Sequence, residues 1–224
     1  MLTMQAQEEE FLEAIRKNDQ PTINKLLQEH PSIANTRTKN GVSAIFLALY
    51  RGNSPVATQI ASMKQLDVFE AASIGDLNRL KTLISHDPSL AKSYSPDGFT
   101  ALALASYLGQ KGSVEYLAEN GADVNAIAKD GSGFTALTGA ASQNQNEIAK
   151  ILVKKGATVD HQYEGGFTPL MHACAAGNIE LATLLLENGA NPNAKNSEGK
   201  TPLSFALEKG NNELADFLRK QGAN

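Results

Sequence analysis

Four stretches of this chain repeat one another at a nearly fixed interval. They open at Gly98 (GFTALALASYLGQ), Gly133 (GFTALTGAASQNQ), Gly166 (GFTPLMHACAAGN) and Gly199 (GKTPLSFALEKGN), and each is followed, 23 residues after its first glycine, by a Gly-Ala pair. The intervals are 35, 33 and 33 residues, the longer one carrying two extra residues within Lys129-Asp130-Gly131-Ser132. Self-similarity at a fixed period restricts a chain to stacked architectures, in which each unit buries its apolar face only against its neighbours. A stack of this kind presents an extended surface, which points to binding.

The recurring residues have local physical roles. Thr100, Thr135, Thr168 and Thr201, with Ser43 in an earlier copy, stand where a hydroxyl can accept the orphan N–H groups that open a helix. Pro169 and Pro202 suit the first helical turn, where a missing N–H costs nothing. Leucines and small residues such as Ala105, Ala140, Ala173 and Ala206 follow at helical spacing, and the alanines let neighbouring helices approach closely. Gly52, Gly75, Gly109, Gly177 and Gly210 are placed to end this first helix in the left-handed conformation. The substitutes there are Asn18 and Asn144, the next-best residue type for that geometry. A second helix follows, as in ELATLLL at 180–186, and Gly121, Gly156, Gly189 and Gly222 close it.

This pattern resembles the ankyrin repeat, whose period is 33 residues. The likeness is strongest over residues 166–193, GFTPLMHACAAGNIELATLLLENGANPN. Weaker copies open at Gly41 and, without an opening glycine, run over 12–34 and 66–91. The resemblance implies an all-α ankyrin-repeat solenoid of helix-turn-helix units with projecting β-hairpin turns. The whole chain then divides, as one domain, into seven repeats at approximately 7–40, 41–63, 64–97, 98–132, 133–165, 166–198 and 199–224.

The first four copies are less regular. Ala14 and Ala71 are 57 residues apart, as are Gly41 and Gly98, and EHPSIANTRTKNG echoes HDPSLAKSYSPDG. Pro31 and Pro88 stand where they would stop the second helix of their repeats. A 57-residue pair is shorter than two 33-residue repeats, and the deficit falls between Pro55 and Val68. The second repeat is therefore expected to lack its hairpin, with Ser62 and Gln65 spaced as a capping box for the next helix.

Composition narrows the function classes. No run approaches the roughly 18 apolar residues of a membrane span, and the acidic start MLTMQAQEEEFLEA does not suit a signal peptide. The single cysteine, Cys174, cannot form an internal disulfide, fits a reducing compartment and falls at a small-residue position, so a buried, inert thiol is expected. Basic and acidic residues balance at 11 each through Gly112, and the remainder carries 9 against 13, so the net charge of −4 lies in the C-terminal part. Without a Lys/Arg stripe, nucleic-acid binding lacks its electrostatic footprint. The histidines His30, His86, His161 and His172 form no metal-ligand spacing. His172 is expected to be a packed histidine with a local hydrogen bond, and Asp160 a turn aspartate. No cofactor or metal is expected.

The remaining signal lies at positions the repeat leaves free. The ankyrin resemblance implies that these face the concave groove and the hairpin tips. They comprise Phe99, Phe134 and Phe167, then Tyr163 and Glu164, and the helix-end residues Tyr50, Arg51, Tyr107, Leu108 and Gln143. Aromatic residues are only 6% of the chain, so their gathering here marks a candidate protein-binding surface. The phenylalanines also suit a packing role against the hairpin bases. The expectation is a monomeric, cytoplasmic, non-enzymatic module binding a protein partner, with no nucleic acid and no membrane. A groove-sited enzyme or small-ligand protein is the alternative from another class. A dedicated inhibitor of one enzyme or toxin is the first reading with a narrower partner.

Overall fold

A computed structural model describes residues 3–224. Among them fourteen α-helices follow one another as antiparallel pairs: α1 (Met4–Lys17) and α2 (Gln20–Glu29), α3 (Ala44–Tyr50) and α4 (Ser54–Ala61), α5 (Val68–Ile74) and α6 (Leu77–His86), α7 (Ala101–Tyr107) and α8 (Lys111–Glu119). The series continues with α9 (Ala136–Ser142) and α10 (Asn146–Lys154), α11 (Pro169–Ala176) and α12 (Ile179–Glu187), and α13 (Pro202–Glu208) and α14 (Asn212–Lys220). Odd-numbered helices form the inner row and even-numbered helices the outer row; each helix packs on its pair partner, the inner helices pack along their whole row, and α6, α8, α10 and α12 pack in succession along the outer row.

The inner helices begin and end as their sequences dictate. The hydroxyls of Ser43, Thr100, Thr135, Thr168 and Thr201 each accept an N–H from three residues on. At the other end the chain reverses through positive φ, at Gly75 (φ 78°) and Gly177 (φ 71°), and at Asn18 and Asn144, both at φ 55°. Gly75 also leaves room for the Gln110 side chain of the next repeat, so an added Cβ there would collide as well as strain. The outer helices have caps of their own: Asp19, Asn53, Asp76, Asn178 and Asn211 accept their first free N–H groups.

The core is continuous. Ala71, Ala105, Ala140, Ala173 and Ala206 are fully buried where inner helices meet, and Ile23, Leu80, Leu117, Leu152, Leu185 and Leu218 fill the space beneath the outer helices. Short turns lock one repeat to the next. The amides of Lys129, Glu164 and Ser197 donate to the carbonyls of Gly98, Ser132 and Gly165 in the preceding turn. On the opposite edge, Asn125 accepts from the Thr158 amide and donates to the Gly156 carbonyl, and Asn193 does the same toward Asn224 and Gly222. Asp160, at the equivalent place, accepts from Asn191. It is an inter-repeat acceptor as well as a turn residue.

One expectation about the connections changes and another is extended. The projecting turns carry only isolated antiparallel bridges, Arg37 with Ser43, Tyr94 with Thr100 and Tyr163 with Phe167, because their backbone groups close tight turns, as Gly41 to Thr38 and Gly98 to Ser95, before any extended arm can form. Pro31 and Pro88 stop α2 and α6, and each then opens a 3-10 turn, Pro31–Asn35 and Pro88–Lys92.

Residues 62–67, between α4 and α5, carry no bridge. Ser62 and Gln65 do not form the capping box: the Ser62 hydroxyl donates back to the Gln59 carbonyl at 2.7 Å and closes α4. The box belongs to Asp67 and Glu70, whose side chains accept from each other's backbone N–H at 2.8 and 3.3 Å. The later start lets Lys64 fold back onto Glu70 at 2.7 Å, which residues six apart on one continuous helix could not do. Both side chains are buried, at 6% and 2% exposure. Arg37 reaches Asp67 at 2.6 Å and Glu70 at 3.6 Å, and Arg79 donates to the Leu66 carbonyl. A charged knot thus occupies the place of the missing hairpin.

Candidate functional site

The site is built at the start of each inner helix. The residue before the capping Ser or Thr lies beside the fourth helical residue, in the manner of a hydrophobic staple that fixes the entry of the chain. Those pairs are Val42 with Leu47, Phe99 with Leu104, Phe134 with Gly139, Phe167 with His172 and Lys200 with Phe205. Phe167 and His172 have ring centroids 5.7 Å apart, and the Lys200 ammonium lies 5.7 Å from the Phe205 ring. At Gly139 there is no side chain, and the Phe134 ring settles over the helix: an added Cβ would stand 3.1 Å from its Cε1 and Cζ.

Because the helices are stacked, the staple rings meet one another and the tyrosines that end α3 and α7. Tyr50 stacks on Tyr107 at 6.3 Å, and Tyr107 meets Phe134 at 6.2 Å. Phe134 contacts Phe99 at 5.8 Å and Tyr163 at 6.0 Å, both edge-on, a favoured geometry for rings. The row runs on through Phe167 to Phe205 at 5.5 Å. A cleft of about 930 Å³ opens beside it, bounded by the turns at residues 40–42, 94–99 and 129–132 and by Tyr163 and Glu164.

The structure brings Tyr50, Phe99, Tyr107, Phe134, Tyr163 and Glu164 to this one cleft and places Phe167 in the same row of rings. Arg51, Leu108 and Gln143 lie at the C-terminal ends of α3, α7 and α9, outside the cleft lining. Tyr50 is 62% exposed, whereas Phe99, Tyr107, Phe134, Tyr163 and Phe167 are half-buried. The rings therefore pack and remain accessible. Packing and recognition are not exclusive here.

Electrostatics follows from this half-burial. Desolvation raises the Tyr107 phenol above its ordinary pKa, with a smaller contribution from Tyr50. Burial likewise raises Tyr163, helped by the neighbouring Glu164 carboxylate. The Tyr163 hydroxyl pairs with His172 Nε2, and their rings stack at 5.5 Å. Burial holds the His172 imidazole below its ordinary pKa, so it is neutral at pH 7 and its Nε2 can accept from the phenol. Cys174 is fully buried and its thiol is pushed up to about 12, which makes it a packing residue. Among the described residues no group of three or more His, Cys, Asp or Glu side chains is placed to hold a metal ion, and no helix is long and apolar enough to cross a membrane.

Sequence reasoning missed Val42, Phe46, Leu47, Tyr94 and Leu104 in the cleft, and the carboxylates Asp97 and Asp130 at its edge. Leu47 and Leu104 read as ordinary core positions. Gly139 was the available signal, since a glycine inside a helix costs stability unless something needs the space.

The match to known sequences covers most of the array. The family model described as "Ankyrin repeats (3 copies)" matches residues 68–163 and 140–224. The chain belongs to the ankyrin-repeat family. Residues 3–67, before the matched region, continue the same succession of paired helices. Among curated proteins, the rat ankyrin repeat and SAM domain-containing protein 6 is 37% identical over 95 residues, which is 42% of this chain and 10% of that protein. Human neurogenic locus notch homolog protein 1 is 29% identical over 150 residues, 62% of this chain and 6% of that protein. The NAD-capped RNA hydrolase NUDT12 of Macaca fascicularis is 37% identical over 82 residues, 37% of this chain and 17% of that protein. The alignments thus take in a small part of much longer relatives. Ankyrin repeats are protein-interaction modules, and a protein-binding role follows at that level.

Proposed function

We propose that this ankyrin array is a non-enzymatic interaction module that binds one protein partner through the aromatic row and the adjoining turns. Taken as a seven-repeat domain, it acts as a monomer, and its single buried thiol is in keeping with a cytoplasmic setting. The observation that carries the reading is the row of half-buried rings along one cleft, held in place before any partner arrives. Preorganised side chains of this kind lose little conformational entropy on docking, and Tyr is among the favoured interface anchors. A dedicated inhibitor of one enzyme would use the same surface.

Affinity capture from the native cell, with mass spectrometry of what is retained, tests the proposal. A stoichiometric protein is expected on the unmodified chain. Tyr50→Ala with Phe99→Ala is expected to lower its retention more than tenfold, because losing an interface anchor typically costs about 2 kcal/mol or more. Tyr50→Ala alone should leave melting within a few degrees, since Tyr50 is mostly exposed. Phe99→Ala also lowers it through lost packing on Phe134, so retention is compared at a temperature where circular dichroism shows both the unmodified chain and the variant folded. Equal capture by the variant, or retention of a small metabolite in place of a protein, overturns the reading.

A further inference from the structure

The cleft beside the aromatic row is acidic, and its acid is only partly compensated. Its lining holds Asp97, Asp130 and Glu164 against a single cation, Lys129, an excess of two negative charges. Among the described residues none of these three carboxylates forms an ion pair, whereas the outer-helix carboxylates Glu119, Glu147 and Glu180 are matched by Lys155, Lys111 and Lys150. Lys129, moreover, is engaged with an aromatic ring: its ammonium stands 3.9 Å from the centre of Tyr94. One ring of the cleft thus already holds a cation. Tyr50, Tyr107 and Phe134 present further π-faces or edges with no cation over them.

We infer that this cleft takes an extended segment of the partner that places a lysine or arginine side chain between the tyrosine faces and the carboxylates of Asp97, Asp130 and Glu164. The inference rests on the proposed groove binding and specifies its chemistry. A cation over an aromatic face is drawn by the ring quadrupole, and unpaired carboxylates at the rim add attraction and steer encounter. An acidic segment would meet like charge there and is disfavoured. The cleft runs from the turn at residues 40–42 to Glu164, a length suited to a chain segment rather than to one small cation.

The test is selection of a random-sequence peptide library on the full chain. Enriched peptides are expected to carry Lys or Arg beside apolar residues, and a synthetic copy of the leading peptide should bind more weakly as salt rises. Asp97→Asn with Asp130→Asn and Glu164→Gln keeps the acceptor oxygens used within the turns at Ser95 and Ser132 and removes only charge. It is expected to weaken that peptide by about tenfold or more, the summed effect of three rim charges, with circular dichroism unchanged. Enrichment of uncharged or acidic peptides, no enrichment, or unchanged binding by the charge-removed variant overturns the inference. Uncharged peptides that lose binding with Tyr50→Ala and Phe99→Ala would leave the groove reading standing. Peptides indifferent to those replacements would overturn both.

Discussion

His172 shows how one residue can belong to both the core and the surface of this array. It stands where Leu47 and Leu104 stand in other repeats, on the fourth residue of an inner helix, and its ring is stacked on Tyr163 and tilted against Phe167. Burial disfavours the charged imidazole, so its folded pKa lies below the ordinary value of 6.5 expected in the unfolded chain. The unfolded state then binds more protons between the folded and unfolded pKa values, and stability rises with pH through that window. The contribution is fully present above about 6.5 and is lost as pH falls toward the folded value. The exposed carboxylates with lowered pKa, such as Glu147 and Glu180, titrate from 4.5 downward and leave the window clear. Melting temperature is accordingly expected to fall between pH 7 and about 5.5, and His172→Leu, the residue of the equivalent positions, should flatten that slope. An equal slope in the variant would assign the pH dependence elsewhere.

At the scale of the element, the unit that recurs is a capped helix with its staple. Gly139 and Phe134 form the one staple in which the helical partner is absent and the ring takes its place. Restoring leucine, as at Leu47 and Leu104, would force the Phe134 ring off the helix and press on the Tyr107 backbone amide, 3.3 Å from the added Cβ. Overpacking of this kind costs about 1–3 kcal/mol. Gly139→Leu is therefore expected to lower stability by that amount in chemical denaturation, and to cost about 1 kcal/mol less in a Phe134→Ala background. Additivity within about 0.5 kcal/mol would show that the two positions do not share the space. The same elements show what was legible in the sequence. Caps were legible, because Thr100, Thr135, Thr168, Thr201 and Ser43 act through bonds to their own next turn. Part of the cleft was legible, since Phe99 and Phe134 share one register position with Phe167. The rest depends on contacts between repeats: Tyr94 and Asp97 join Tyr50 in one cleft only when the stack forms. Ser62 misled for a related reason, because the spacing of a capping box says nothing of the Lys64–Glu70 pair that fixes where α5 begins.

At the scale of the whole molecule, stability is approximately a sum of repeat terms and nearest-neighbour terms, so the seam between α3 and α5 decides how the array fails. It is the thinnest contact between successive inner helices, and it lacks the bridged turn found at Tyr94 or Tyr163. The Lys64–Glu70 pair, with Arg37 and Asp67, fills that place. A buried ion pair is a near-neutral substitute for apolar packing, because the cost of desolvating two charges consumes most of their attraction. Residues 54–67 are thus expected to exchange their amide hydrogens faster than residues 166–189, where both neighbours are fully packed. Removing one partner is a different matter, since it strands the other charge in the core and costs about 3–5 kcal/mol. Lys64→Met keeps the length of the side chain and leaves Glu70 with Arg37 alone, 3.6 Å away, which places the expected loss at the lower end, about 3 kcal/mol. In a one-dimensional array a loss at one seam uncouples what lies on either side. The variant should unfold in two steps, with residues 3–61 losing hydrogen-exchange protection first and residues 68–224 retaining theirs. A single transition at the original midpoint, or uniform loss of protection along the chain, would show that the charged knot does not hold this seam.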